Sequence, residues 1–351
     1  MSTSRDLRAA FFSGFSRLVV AAASAIVLTN LLAFAAGVAP RDALRVAYEG
    51  SLASGYGVGQ ILFRATPILV AALAARVALL AGLFNIGVEG QVAGASLAVG
   101  VVGAWWGAHA LPPLPGALVM LVVALAAGGA IAAIPATLRA RFGASEVIGG
   151  IVMNQLVAVL VGFALRTHFA LPGTMRTPSL PKELVARPLG AWLPALVGAP
   201  VSVLSLAFAG AVPLVYLALA RMRLAREWEL VAEAPEACAF AGIPVARRRF
   251  EALAWSGAVA GLVALPMVAG YKGYAEPGLG AGSGFAGLAA AMLGGPSATV
   301  TVAAALWFGL VDQAGLALHA IVPKDLVLVV QASTMLVAAL LGARKRQEAR
   351  S

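Results

Sequence analysis

The sequence predicts an all-α, polytopic transmembrane helical bundle of about ten spans. Composition and repetition carry that expectation. Hydrophobic residues make up 61% of the chain and charged residues 11%, where a soluble domain carries roughly a quarter charged. So little polar surface cannot cover a chain of 351 residues, and lipid is the natural solvent for the rest. Apolar runs of spanning length then recur from end to end. Glycine, at 39 residues, is a penalty in a soluble helix but lets membrane helices approach closely.

The first run, Leu18–Val38, is long enough to span and lacks a convincing signal-peptide processing site. Runs follow at Ile61–Leu80, Val88–Ala108, Leu114–Ala136, Val147–Leu165, Pro200–Ala220 and Ala252–Gly270. The last third adds Leu279–Gly294, Val300–Leu318 and Leu326–Leu341. The Leu279–Gly294 run is short and rich in glycine, which suits a broken or re-entrant segment. No composition shift marks a domain boundary, so 1–351 reads as one transmembrane domain. Glycine-punctuated runs at Ala81–Gly100 and Gly278–Gly295 occupy roughly corresponding halves, a weak hint of an inverted repeat.

The net charge is +10, and the cations sit beside apolar runs. Arg5, Arg8 and Arg17 precede the first run, and Arg139 and Arg141 follow the fourth. Arg221, Arg223, Arg226 and Arg247–Arg249 flank the loop after the sixth, and Arg344, Lys345, Arg346 and Arg350 close the chain. With ten spans, a cytoplasmic N-terminus puts all these groups on one side, so both termini are expected inside the cell membrane. The Thr167–Ala199 loop is then external and irregular, and the Arg221–Arg249 loop is internal, with a helical stretch at Glu229–Gly242. Charge placed this way calls for membrane lipid, not nucleic acid.

Several chemistries have no support. A single cysteine, Cys238, excludes an intrachain disulfide framework and a cysteine metal cluster, and reads as a small packing residue. His109, His168 and His319 have no metal-ligand spacing. Gly282–Gly287 has the letters of a dinucleotide loop but follows no strand, so it reads as helix packing and no cofactor is expected. No lysine precedes Ser or Thr, so no phosphate-binding loop exists, and no Ser/His/Asp grouping suggests catalysis. The chain is not expected to be an enzyme.

Ala81–Ala95 is the most informative segment. It sets Asn85, Glu89 and Gln91 at the mouth of an apolar helix. Asn85 and Glu89, four apart, share a face if the stretch is helical. An ionisable group at membrane depth costs at least about 2.5–3.5 kcal/mol and faces a cavity or a partner. Two readings stand side by side: direct ligand contact, or satisfaction of a broken helix's free backbone groups. Asp312, in the ninth run, pairs with Arg64 or Arg76 or faces a water cavity.

Four stretches together resemble one family. "GLFNIGVEGQ" (Gly82–Gln91) resembles the signature of permeases in nucleoside-type ABC importers, within the branched-chain amino acid and ribose permease superfamily. Arg139–Ala158, Glu233–Ala264 and Gly282–Gly309 are similar to further family stretches in the same order. Departures fall at Ala234, where the family has Asn, and at Gln155, Ser283 and Ala286. The resemblance implies a translocation subunit, and Asn85, Glu89, Gln91 and Asn154 are the best polar candidates to face its substrate path, with Phe84 and Met153 flanking. It also implies that 221–250 is a cytoplasmic coupling loop presenting Glu236, Ala237 and Gly242 to an ATPase. The implied partners are an ABC ATPase with tandem domains, a second homologous permease and an extracytoplasmic substrate-binding lipoprotein. The implied ligand is a nucleoside of purine type, with a pentose as the alternative. An ion-coupled secondary transporter is the rival class, resting on Asp312 and Glu89 alone.

Overall fold

Lipid offers the backbone no hydrogen-bond partner, so each apolar run closes its own bonds as a helix. The computed structural model describes residues 4–323, 329–330, 332–337 and 340, with side chains from Phe12 onward. The helices are α1 (Ser4–Ala35), α2 (Pro40–Glu49), α3 (Gly55–Leu80), α4 (Val88–Ala108), α5 (Pro113–Phe142) and α6 (Glu146–Ala164). They continue with α7 (Val203–Leu219), α8 (Arg223–Glu233), α9 (Pro235–Phe240), α10 (Val245–Gly261), α11 (Ser283–Gly294) and α12 (Ala298–Leu318). π-Helical turns extend α6 to Phe169 and continue α10 over Leu265–Lys272. The only β pairing among the described residues is an isolated bridge between Pro188 and Ser202.

Seven of these segments are individually long and apolar enough to cross a membrane, and α7 with α8, bent by 65° at the break between them, would add an eighth only if the pair formed one span. The expected count of ten is not established. The Leu279–Gly294 run forms only the 12-residue α11, about 18 Å long, which is too short for a hydrocarbon core of about 30 Å. Of the expected Leu326–Leu341 span only 329–330, 332–337 and 340 are described, all of them helical, and the cations Arg344–Arg350 lie outside the described residues.

Side-chain size sets the packing. α3 is the central post: Val70, Ala71, Ala72, Ala74, Ala75 and Ala78 are fully buried, and α10, α11 and α12 pack against it. α5 and α10 cross where Gly128 faces Gly257 and Gly261. A Cβ on Gly261 would overlap the Ala124 carbonyl oxygen, and one on Gly257 would overlap the Ala132 methyl. Only hydrogen at these positions allows backbones to meet, as in small-residue membrane crossings.

The bundle has two different ends. At one, the Thr167–Ala199 loop runs over the chain that follows α10: Thr177 donates to Ala275 (2.9 Å), Leu180 to Gly273 (2.7 Å) and Ala186 to Ala269 (2.8 Å). α7 carries the chain to the opposite end, where α8 lies across the bundle with Ala225, Trp228 and Val231 buried. Ion pairs fasten α8 there: Arg76 on α3 to Glu229 (3.4 Å) and Arg248 on α10 to Glu227 (2.6 Å). The single helix expected at Glu229–Gly242 is a correction. It is two helices, because Pro235 has no N–H to continue α8 and holds Ala234 extended, at φ −139° and ψ 68°. α2 was not expected. Pro40 starts it at the first helical position, and Ala43, Val46 and Ala47 pack with Ala33 of α1 and Leu318 of α12.

Candidate functional site

The non-helical segment between α3 and α4 leaves backbone groups that something must satisfy. Asn85 does much of this. Its amide exchanges two bonds with the amide of Gln91 (2.9 and 3.0 Å), accepts from the Gly87 N–H (3.1 Å) and donates to Ser256 Oγ (2.8 Å). Ser256 in turn donates to the Ala74 carbonyl (2.6 Å). Asn85, Gln91 and Ser256 are all buried, so the knot ties α3, α4 and α10 together away from solvent. Orphaning one such amide costs about 1–3 kcal/mol. Asn154 clamps the same segment from α6, accepting from the Gly90 N–H (2.8 Å) and donating to the Ile86 carbonyl (2.8 Å).

Glu89 closes a second break. The loop before α11 turns through Gly278, Gly280 and Gly282, all at positive φ near +80°, a conformation that glycine adopts without steric cost. The Glu89 carboxylate accepts from the N–H groups of Gly282 (3.0 Å) and Gly284 (2.8 Å). It acts as a remote cap on α11, whose own cap residue Gly282 has no side chain to serve. The two glycine-broken segments singled out in the sequence thus meet at one carboxylate. At the other end of α11, the Tyr216 hydroxyl donates to the Gly295 carbonyl.

Beside this brace is a cavity of about 540 Å³. Its wall includes Phe63 and Arg64 of α3, Tyr271, the Glu276–Ser283 loop, and Phe308 and Asp312 of α12. Arg64 Nη1 meets Asp312 Oδ2 at 2.6 Å and its Nε donates to Gln313 Oε1 (3.0 Å). Gln313 donates onward to the Gly50 carbonyl (2.9 Å). Of the two partners the sequence offered Asp312, Arg64 is the one engaged. Asn85, Glu89, Gln91 and Asn154 surround the broken segment and do not line this cavity; Glu89 reaches it through the loop it holds. Sequence reasoning did not single out Phe63, Tyr271 or Phe308, because an aromatic in an apolar run gives no signal of facing water. Ser256, one more small residue in a helix, was missed likewise.

At the α8 end, α9 presents Glu236, Ala237 and Gly242 exposed and keeps Cys238 buried. Gly242 lies at φ +79°. Its N–H donates to the Ala239 carbonyl and the Ile243 N–H to that of Cys238, the paired bonds of a Schellman turn. Phe240, which the sequence did not flag, stands 94% exposed on the same helix.

The family described as branched-chain amino acid transport system / permease component matches residues 57–339. The glucose ABC transporter permease protein TsgB13 of Haloferax volcanii is 31% identical over 330 residues, covering 88% of this chain and 85% of the relative. The nucleoside ABC transporter permease protein NupB of Lactococcus lactis is 28% identical, covering 76% of this chain and 74% of its own. The guanosine ABC transporter permease protein NupP of Bacillus subtilis is 29% identical, over 81% and 84%. No solved structure matches the chain.

Proposed function

This chain belongs to the family of branched-chain amino acid transport system permease components, as a multi-pass membrane permease of the ABC transporter type, and from that premise we propose that it is the translocation subunit of an ATP-driven nucleoside importer. The observation that carries the cargo is the pair of nucleoside-named relatives, together with a cavity whose aromatic rings suit a flat base. Asn85, Glu89, Gln91 and Asn154 serve the path by bracing the broken helices along it. The 221–250 segment is the coupling loop, with Glu236, Ala237 and Gly242 at the ATPase. ATP hydrolysis comes from a separate ABC ATPase, a second homologous permease completes the path, and an extracytoplasmic lipoprotein delivers cargo. A sugar is the second reading, favoured by the glucose-named relative. Ion coupling has less support, because Asp312 is engaged by Arg64 and Glu89 caps α11.

Uptake of labelled inosine and labelled glucose by proteoliposomes holding the complete complex tests this reading. ATP-dependent inosine uptake is expected. Glucose uptake without inosine uptake would transfer the cargo to sugars and leave the permease role standing. Uptake driven by an ion gradient without ATP would sink the importer reading.

We also propose that the α8–α9 end is cytoplasmic and the Thr167–Ala199 loop external, since the former gathers the arginines. Ser179 and Ala246 are both exposed. In a Cys238→Ala background, an impermeant thiol reagent on intact cells is expected to label Ser179→Cys and spare Ala246→Cys. The reverse pattern inverts the topology.

A further inference from the structure

The charges around the 540 Å³ cavity occur in pairs. Arg64 is held by Asp312, and Glu276 is held by Lys272 at 3.0 Å. The Arg64 and Asp312 side chains are 23% and 43% exposed, so the pair borders open space. An ion pair within spanning helices faces a water-filled cavity rather than lipid. The remaining positive element is the N-terminus of α11, which by itself attracts anions. Glu89 already occupies it, accepting from Gly282 and Gly284. Among the described residues, an anion or cation entering this cavity therefore meets no uncompensated charge and would have to split a pair to gain one.

The rest of the wall is aromatic and flat. Phe63 and Tyr271 stand edge to face, with centroids 4.7 Å apart and planes at 61°, and Phe308 adds a ring from α12. Rings of this kind bind planar bases and the apolar faces of sugars without regard to charge. The volume falls within the range of roughly 300–1,000 Å³ typical of small-molecule pockets. Guanidinium and carboxylate side by side, the former fixed from behind by Gln313, offer donors and acceptors to hydroxyl groups.

We infer that this cavity is a transit site selective for a neutral, hydroxyl-bearing ring compound, recognised by Arg64 and Asp312 and stacked against Phe63, Tyr271 and Phe308. Nucleotides and zwitterionic amino acids are excluded by the paired charges. The inference rests on the importer reading and deepens it, naming where the cargo sits and what is rejected.

The test is ligand protection in the complete complex. Ala281 lines the cavity and is exposed. Ala281→Cys in a Cys238→Ala background is treated with a thiol reagent in the presence of inosine, glucose, inosine monophosphate or leucine. Cargo at twice its dissociation constant leaves about one third of sites open, so inosine is expected to slow labelling about threefold. Inosine monophosphate and leucine are expected to leave the rate unchanged. The neutral pair Arg64→Gln/Asp312→Asn is expected to remove protection and raise the KM for uptake about tenfold with kcat retained, about 1.4 kcal/mol in recognition. Tyr271→Leu provides the same readout should that pair fail to assemble. Protection by glucose alone keeps the site and overturns only the nucleoside assignment. Equal protection by the nucleotide or leucine overturns the selectivity. No protection by either inosine or glucose, in a complex that transports one of them, overturns the site.

Discussion

Glu89→Ala is expected to cost the protein its assembly rather than merely its speed. Among the described residues the carboxylate is the side chain that caps the N-terminus of α11, accepting from Gly282 and Gly284 at 3.0 and 2.8 Å. Charge-assisted bonds of this kind contribute about 1.5–3 kcal/mol each, so losing both removes about 3–6 kcal/mol. That is a large share of a typical stability of about 5–15 kcal/mol. The Gly282 side is exposed and water can replace part of that bond. Gly284 is buried, and the loop packs against α4 and the turn after α10, where a Cβ on Gly280 would lie 3.1 Å from Val92 and 3.5 Å from Met267. The loss is therefore expected toward the lower figure. Glu89→Gln keeps one carbonyl acceptor but turns an amide toward the second N–H, so about half the loss is expected. Thermal melting and size-exclusion yield of the purified protein read this directly. An alanine variant that melts like wild type yet does not transport would move Glu89 from brace to ligand contact.

Much of the architecture was legible because lipid imposes a simple rule: apolar runs of sufficient length become helices. Seven expected runs correspond to seven membrane-length segments. The shortness of α11 was visible in its glycines, and Asp312's need for a partner or a cavity in the cost of a lone acid among apolar residues, but not that Arg64 rather than Arg76 meets it. What hid was everything set by tertiary context. Pro235 was in view, yet a polar loop gives no periodicity from which to place the break at Ala234. α2 carries Arg41, Asp42 and Arg45 beside its apolar face, and so resembles a loop when scanned for hydrophobicity. That Asn85, Glu89, Gln91 and Asn154 are the notable polar side chains around this segment was legible. Their division of labour was not, because many of the partners, backbone groups and the Ser256 hydroxyl among them, lie up to 195 positions away in the chain. The aromatic wall of the cavity was invisible for the opposite reason, since Phe63 and Phe308 are what any membrane helix contains.

Phe240→Ala is expected to uncouple the permease from its ATPase while leaving the fold intact. An aromatic ring 94% exposed, in a loop rich in arginine, gains nothing from the position it occupies in the isolated chain. Its surroundings are built to hold it there. Cys238 is buried beneath it, the turn at Gly242 fixes the end of α9, and ion pairs of Glu227 and Glu229 fasten the preceding α8 to α10 and α3. A rigid, exposed aromatic flanked by Ala237 and Ala239 is the form of an interface anchor that fills a pocket on a partner. Anchors of this kind contribute about 2 kcal/mol or more, so truncation should weaken ATPase docking about thirtyfold. Cargo-stimulated ATP hydrolysis and uptake should then fall together at limiting ATPase and recover in part when the ATPase is raised. The melting temperature should not move, because an exposed ring contributes little to the fold. Gly242→Val should act in the same direction through strain, since a β-branched residue at φ +79° is disfavoured by the clash of Cβ with the backbone. Full stimulated hydrolysis in the Phe240→Ala complex at limiting ATPase would place the docking surface elsewhere on this end of the bundle.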